Sequence, residues 1–131
     1  MIARSDLKKL ARARLKDAQI LLAGKRYDGA VYVCGYAIEL ALKARICALL
    51  KWSGYPDTGG EFASLTSFRT HDLAVLLRLS GRADRIRTKH LIDWSVVAEW
   101  DTESRYRVIG TAKQKDAAIM IESSTNLITV L

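Results

Sequence analysis

Glu39 is the side chain whose surroundings most demand a chemical explanation. It stands near the middle of Arg26–Cys47, RYDGAVYVCGYAIELALKARIC, an apolar segment crowded with small residues. A carboxylate among apolar neighbours needs cations or hydrogen-bond donors to offset its lost hydration. Arg105, His71 and Arg45 are the candidate partners inside a helical bundle, and Lys43, one turn along the same segment, is the simpler one. An internal pair predicts that Glu39→Ala lowers stability by more than about 1.5 kcal/mol. A surface pair with Lys43 would contribute only about 0.3–0.5 kcal/mol. His71 follows Thr70 and precedes Asp72. It reads either as an exposed residue at a helix start or as a group that orients Glu39 or a nucleotide.

Basic residues supply the second kind of chemistry. The net charge is +7, and it is unevenly spread. Residues 1–26 hold eight basic and two acidic residues, residues 78–89 five and one, and residues 91–104 four acidic and no basic ones. The basic regions attract a polyanion or meet the acidic segment across helices or subunits. Arg4, Lys8, Arg12 and Lys16 step by four, with Lys9 beside them, and form a stripe on one helix face. Such a stripe is either a solvated face or a contact for phosphates, independent of base sequence and sensitive to salt. No aromatic residues interleave it for base stacking.

Other chemistries find no footing. Cys34 and Cys47 lie thirteen residues apart on one predicted helix, about 20 Å at the helical rise, too far for a disulfide. Neither has a second ligand at metal-binding spacing, and two unpaired thiols fit a reducing cytoplasm. Gly54, Gly59 and Gly60 lack the spacing and preceding strand of a phosphate loop. No serine or cysteine sits in a nucleophile arrangement. No metal and no cofactor is expected. The basic N-terminus is not followed by an apolar secretory core, and no run approaches a membrane span.

The elements that must position these residues are helical. With 131 residues, half of them apolar and one proline, the chain fits a single domain, 1–131, that folds without disulfide or metal. Ser5 is the expected N-cap of a first helix carrying Leu7, Leu10, Ala11, Leu15, Ala18, Leu21 and Leu22 at helical steps, ended by Gly24. Asp28 is the expected N-cap of a second helix running to about Trp52. Its stripe is Val31, Cys34, Ile38, Leu42, Ile46 and Leu49, and alanines line a second face. A helix apolar over so much of its circumference belongs at the centre of a bundle. Ser53–Ser67 reads as a loop. Thr70 is expected to cap a third helix that Gly81 ends. A fourth runs from Thr88 or Leu91 to Trp100 with Ile92, Val96, Val97 and Trp100 inward, and Thr111 caps a fifth whose stripe is Ala117, Met120, Ile121, Ser124, Leu127, Ile128 and Leu131. Trp94 and Trp100, among Asp93, Glu99, Asp101 and Glu103, rim a dimer surface or pack in the core. The expectation is an all-α, up-and-down bundle of about five helices.

The succession YDGAVYVCGYAIELALKA, THDLAVLLRLSG, an ESRY segment and a final helix containing DAA resembles the HEPN domain family over about residues 4–131. The resemblance implies a helical bundle, a homodimer, a small nucleotidyltransferase as partner, and RNA cleavage in active members. Those members carry an arginine, four to six residues, then a histidine facing the dimer cleft. Histidine there exchanges the proton of the RNA 2′-hydroxyl, and arginine grips the phosphate. The ESRY segment offers Arg105 and Arg107 but no histidine at that distance. The literal match, Arg85 to His90, lies one helix earlier. The favoured reading is a cytoplasmic, non-catalytic binding module that dimerises, pairs with a nucleotidyltransferase-like or defence-related (toxin-antitoxin) protein, and contacts nucleotide or RNA. Arg105 and Arg107 meet the anion and Glu39 holds their segment, with Asp28, Tyr36 and His71 as further candidates. The alternative is a metal-independent endoribonuclease using Arg85 and His90.

Overall fold

The computed structural model describes residues 1–131. It is an all-α bundle with seven helices and one pair of two-residue strands. The helices are α1 (Arg4–Ala23), α2 (Tyr27–Leu50), α3 (Gly59–Phe62), α4 (Leu73–Leu79), α5 (Ala83–Lys89), α6 (Leu91–Val97) and α7 (Gln114–Val130). Two 3-10 turns, Thr66–Phe68 and Thr102–Tyr106, lie in the connections. The strands β1 (Ile2–Ala3) and β2 (Gly54–Tyr55) pair antiparallel, with Ile2 opposite Tyr55. Two residues are too few to show an alternating pattern in sequence.

The central position expected for α2 is where it lies. It packs against α1, α4 and α7. Ala30, Cys34, Ala37, Ile38, Ala41, Leu42, Ala44, Ile46 and Cys47 are all buried, and their small side chains let the neighbouring helices come close. The expected α7 stripe is also observed, with Ala117, Met120, Ile121, Ser124 and Leu127 buried.

The helix ends differ from expectation. Ser5 lies inside α1, whose N-cap is Ala3. Asp28 lies in the first turn of α2, after an N-cap at Arg26. Asp72, not Thr70, caps α4, accepting from the amides of Ala74 and Val75 at 2.9 and 3.1 Å. Lys113, not Thr111, precedes α7, and Asp116 accepts its amide at 2.8 Å. Gly24 ends α1 as expected, as its C-cap, and the left-handed residue is Lys25 after it. Lys51, also left-handed, ends α2 one residue short of Trp52. Gly81 does end α4, with φ +72°.

The expected fourth helix is α6, which starts at Leu91, one of the two expected starts, and stops at Val97, short of Trp100. The helix before it, α5, is not expected from the sequence, and it is set off from α6 because the backbone at His90 leaves helical geometry (φ −134°, ψ 33°). Ile92, expected inward, is 83 % exposed, whereas Val97 and Trp100 are buried. The expected loop 53–67 is packed. Tyr55 is buried, donates its hydroxyl to the carbonyl of Phe68 at 2.6 Å, and clusters with Trp52, Phe62 and Phe68.

Candidate functional site

One polar row runs along the otherwise apolar α2. Asp28, Tyr32, Tyr36, Glu39 and Lys43 follow at steps of four, four, three and four, which places all five on one face. The step pattern is visible in sequence, but Tyr32 is overlooked when charged residues alone are followed.

Glu39 is only 4 % exposed. Its Oε1 lies 2.6 Å from Nδ1 of His71 and its Oε2 3.5 Å from Nζ of Lys43. The carboxylate therefore has both an internal partner and the simple one a turn away. A carboxylate only accepts, so the shared proton belongs on Nδ1 and the second ring nitrogen of His71 has no partner within the fold. The His71 side chain is 62 % exposed. Lys43 also stands 5.1 Å above the ring of Tyr55, which orients its ammonium. Arg105 is engaged elsewhere, and Arg45 lines a different groove.

Beside Glu39, Tyr32, Tyr36 and Trp100 form an aromatic cluster. The tyrosine rings meet edge to face at 5.3 Å, and the rings of Tyr36 and Trp100 at 5.0 Å. The indole donates to the carbonyl of Tyr32 at 3.1 Å and lies on Gly35, where a Cβ would land inside the ring. Trp94 and Trp100 are thus core residues. The Tyr36 hydroxyl is pushed up to about 12, first by burial, then by the hydrogen bond with Tyr32 and the charges of Tyr32 and Glu39, while Arg105 pulls it down.

Asp28 ties the far connection to this row. Its Oδ2 accepts from the amide of Gly110 at 2.7 Å and its Oδ1 from that of Ala112 at 2.8 Å. These two bonds hold the carboxyl below its ordinary range, against a smaller opposing effect of burial. Between this tie and α2 lies a groove of about 270 Å³ whose lining includes Asp28, Tyr32, Ser104, Arg105, Arg107 and Thr111. Arg105 donates to the carbonyl of Thr102 at 2.8 Å and stands 4.6 Å over the ring of Tyr106. Arg107 lies 3.5 Å from the carboxylate of Asp101 and also lines an adjoining groove of about 410 Å³ with Glu99, Trp100 and Asp116. Two exposed guanidinium groups beside one groove can bind a phosphate through paired N–H donors.

Arg85 and His90 are placed differently. Arg85 is exposed on α5, and His90 sits at the junction with α6. Neither residue lines the grooves just described. No group of three or more His, Cys, Asp and Glu side chains is placed to hold a metal ion, and no helix is long and apolar enough to cross a membrane.

A search of curated proteins and of solved structures found no match to this chain. A family model, HEPN domain, matches residues 5–58, the segment that holds α1, α2 and the row from Asp28 to Lys43. Over that segment the chain is similar to the HEPN domain family.

Proposed function

We propose that this chain is a non-catalytic HEPN module that binds the phosphates of a nucleotide or of RNA in the groove between α2 and the 101–112 connection. The observation that carries the reading is the pairing of Arg105 and Arg107 at one groove whose wall Asp28 fastens to α2. The similarity of residues 5–58 to the HEPN domain family supports a nucleotide- or RNA-related role. The connection also bears exposed apolar residues, Tyr106, Val108 and Ile109, the last 94 % exposed. A second copy of the chain would cover them and bring two such grooves together, and a nucleotidyltransferase-like protein is the partner that fits the family.

The test is equilibrium binding of labelled RNA and of ADP to the wild type and to Arg105→Gln with Arg107→Gln, with sedimentation velocity in parallel. The reading expects at least a tenfold loss of affinity in the double variant, about 1.4 kcal/mol, and a dimer that Val108→Asp disrupts. Unchanged affinity would remove these arginines from the site. RNA cleavage in EDTA, abolished by His90→Ala, would replace the binding reading with the endoribonuclease one.

A further inference from the structure

A second basic groove lies on the other side of α2. It has a volume of about 250 Å³ and is lined by Arg4, Lys8 and Arg12 of α1 and Arg45 of α2, over a floor that includes Ala41 and Ala44. Counting 100° per residue, these α2 positions face roughly opposite to the row from Asp28 to Lys43. No acidic side chain lines the groove. The two acids of α1 are paired elsewhere, Asp6 near Lys9 at 4.0 Å and Asp17 near Arg14 at 3.4 Å.

Arg45 is the unusual member. Its Nε is buried and has no hydrogen-bond partner, and the same holds for Nε of Arg82. Burial, then the charges of Arg82 and Arg4, press the guanidinium of Arg45 toward losing its proton. A buried donor without an acceptor beside like charges is a costly arrangement for the free protein. An anion in the groove supplies the opposing charge for Arg4, Lys8, Arg12 and Arg45.

The shape selects among anions. Arg4, Lys8, Arg12 and Lys16 continue the row for about 18 Å along α1, one cation every ~6 Å. A compact anion reaches only part of that length. A nucleic-acid strand carries one negative charge at every residue whatever its sequence, so it meets an evenly spaced row. A folded acidic protein would have to place carboxylates at that same spacing. The concave wall suits a strand better than a flat lipid surface.

We propose that the groove formed by Arg4, Lys8, Arg12 and Arg45 is a binding track for the phosphodiester backbone of a nucleic-acid strand, separate from the Arg105–Arg107 groove. The site does not rest on that other groove, and the two fail separately.

The experiment titrates short fluorescein-labelled single strands of RNA and of DNA at several salt concentrations. The variants are Lys8→Gln with Arg12→Gln, the same pair with Arg45→Gln, Arg105→Gln with Arg107→Gln, and a control of Arg78→Gln, Lys89→Gln and Lys115→Gln. Each lost phosphate contact removes about 0.7 from the slope of log affinity against log salt for a single strand. The groove double should therefore lose about 1.4 and the triple about 2, whereas the control should lose under half as much as the triple. Lys8 and Arg12 are exposed, so the double variant keeps the fold even if the triple does not. Preference between RNA and DNA identifies the strand. A groove double that matches the control overturns the proposal. So does wild-type protein that binds poly-glutamate or phosphatidylserine vesicles but neither nucleic acid. Loss of all strand binding in the Arg105–Arg107 variant alone would leave the other groove standing and remove this one.

Discussion

His71 Nδ1 and Glu39 Oε1 lie 2.6 Å apart and join α2 to the segment that leads into α4, across 32 residues of chain. The bond unites an almost buried carboxylate with a largely exposed ring. The consequences of cutting it from either end are therefore unequal. Glu39→Gln leaves Lys43, whose side chain is only 15 % exposed, without its anion. Stability should fall by about 2 kcal/mol or more. His71→Ala leaves the carboxylate with Lys43 and should cost about 1 kcal/mol. Urea melts of both single variants and the double measure this, and the double should lose less than the sum of the singles. Equal small losses would show that Glu39 is solvated after all.

Gly35 is the position on α2 least able to accept a side chain. Its Cα faces the indole of Trp100, and a methyl group there would occupy the ring plane. Gly35→Ala gains about 1 kcal/mol of helix propensity. It also expels the indole, breaks its bond to the Tyr32 carbonyl and separates it from Tyr36. The net loss should exceed about 2 kcal/mol. The emission of Trp100 should shift to the red as the ring reaches water. A variant as stable as wild type, with unchanged emission, would place the indole elsewhere.

These two relationships mark what a sequence can and cannot disclose. The central place of α2 was legible because its apolar residues cover nearly the whole circumference, and only burial on several sides satisfies such a helix. That Glu39 needs a partner was legible for the same reason, but which of the four cations would reach it was not. His71 reaches it because of how α4 is entered, a matter of tertiary packing. The starts of α1, α2, α4 and α7 lie two residues from the expected caps, and at α4 two capping side chains compete. Thr70 accepts the amide of Asp72 at 3.0 Å while Asp72 caps α4. A cap is worth about 1 kcal/mol, so a tertiary contact can redirect it, and Asp28 is the example. Its carboxylate serves amides 82 and 84 residues away, and no local pattern reports this. The phase of α6 was misjudged at Ile92 because seven residues give too few turns to fix a face. Of the candidate site, the arginines Arg105 and Arg107 were picked out by resemblance. Tyr36 is among the sequence candidates, whereas Tyr32 beside it emerges only from the structure or from a count of every polar residue on α2.

Asp28 makes one connection sensitive to acid. The amides of Gly110 and Ala112 lower its carboxyl below the ordinary 3.8. A depressed carboxylate contributes stability above its unfolded value, and that contribution is lost as pH falls through the folded value. The connection should therefore be fastened at neutral pH and begin to loosen below about pH 4. Asp28 is only half-buried, so the effect is local rather than global. The protection of the Gly110 and Ala112 amides against exchange, relative to the unstructured rate at the same pH, should fall in acid in the wild type. In Asp28→Asn that protection should already be lower at neutral pH and depend less on acidity. Exchange rates equal in both proteins would show that the two amides are protected by something else.

Cys34 and Cys47 are both fully buried and unpaired. Burial pushes the Cys34 thiol up to about 11, against a smaller lowering effect of the Ser124 hydroxyl. Burial likewise raises the Cys47 thiol, partly offset by the charge of Arg4. At pH 8 a thiol with a value of about 11 is ionised in roughly one molecule in a thousand, and the thiolate is the reactive form. Both cysteines should therefore resist a disulfide reagent in the folded protein and titrate together, at the rate of unfolding, once denaturant is added. Their reaction also reports on the bundle, because Cys34 faces the carbonyl of Met120 on α7 at 3.7 Å. Loosening α7 from α2 should expose Cys34 before Cys47. Fast labelling of either thiol in native buffer would mean that α2 is not enclosed as described.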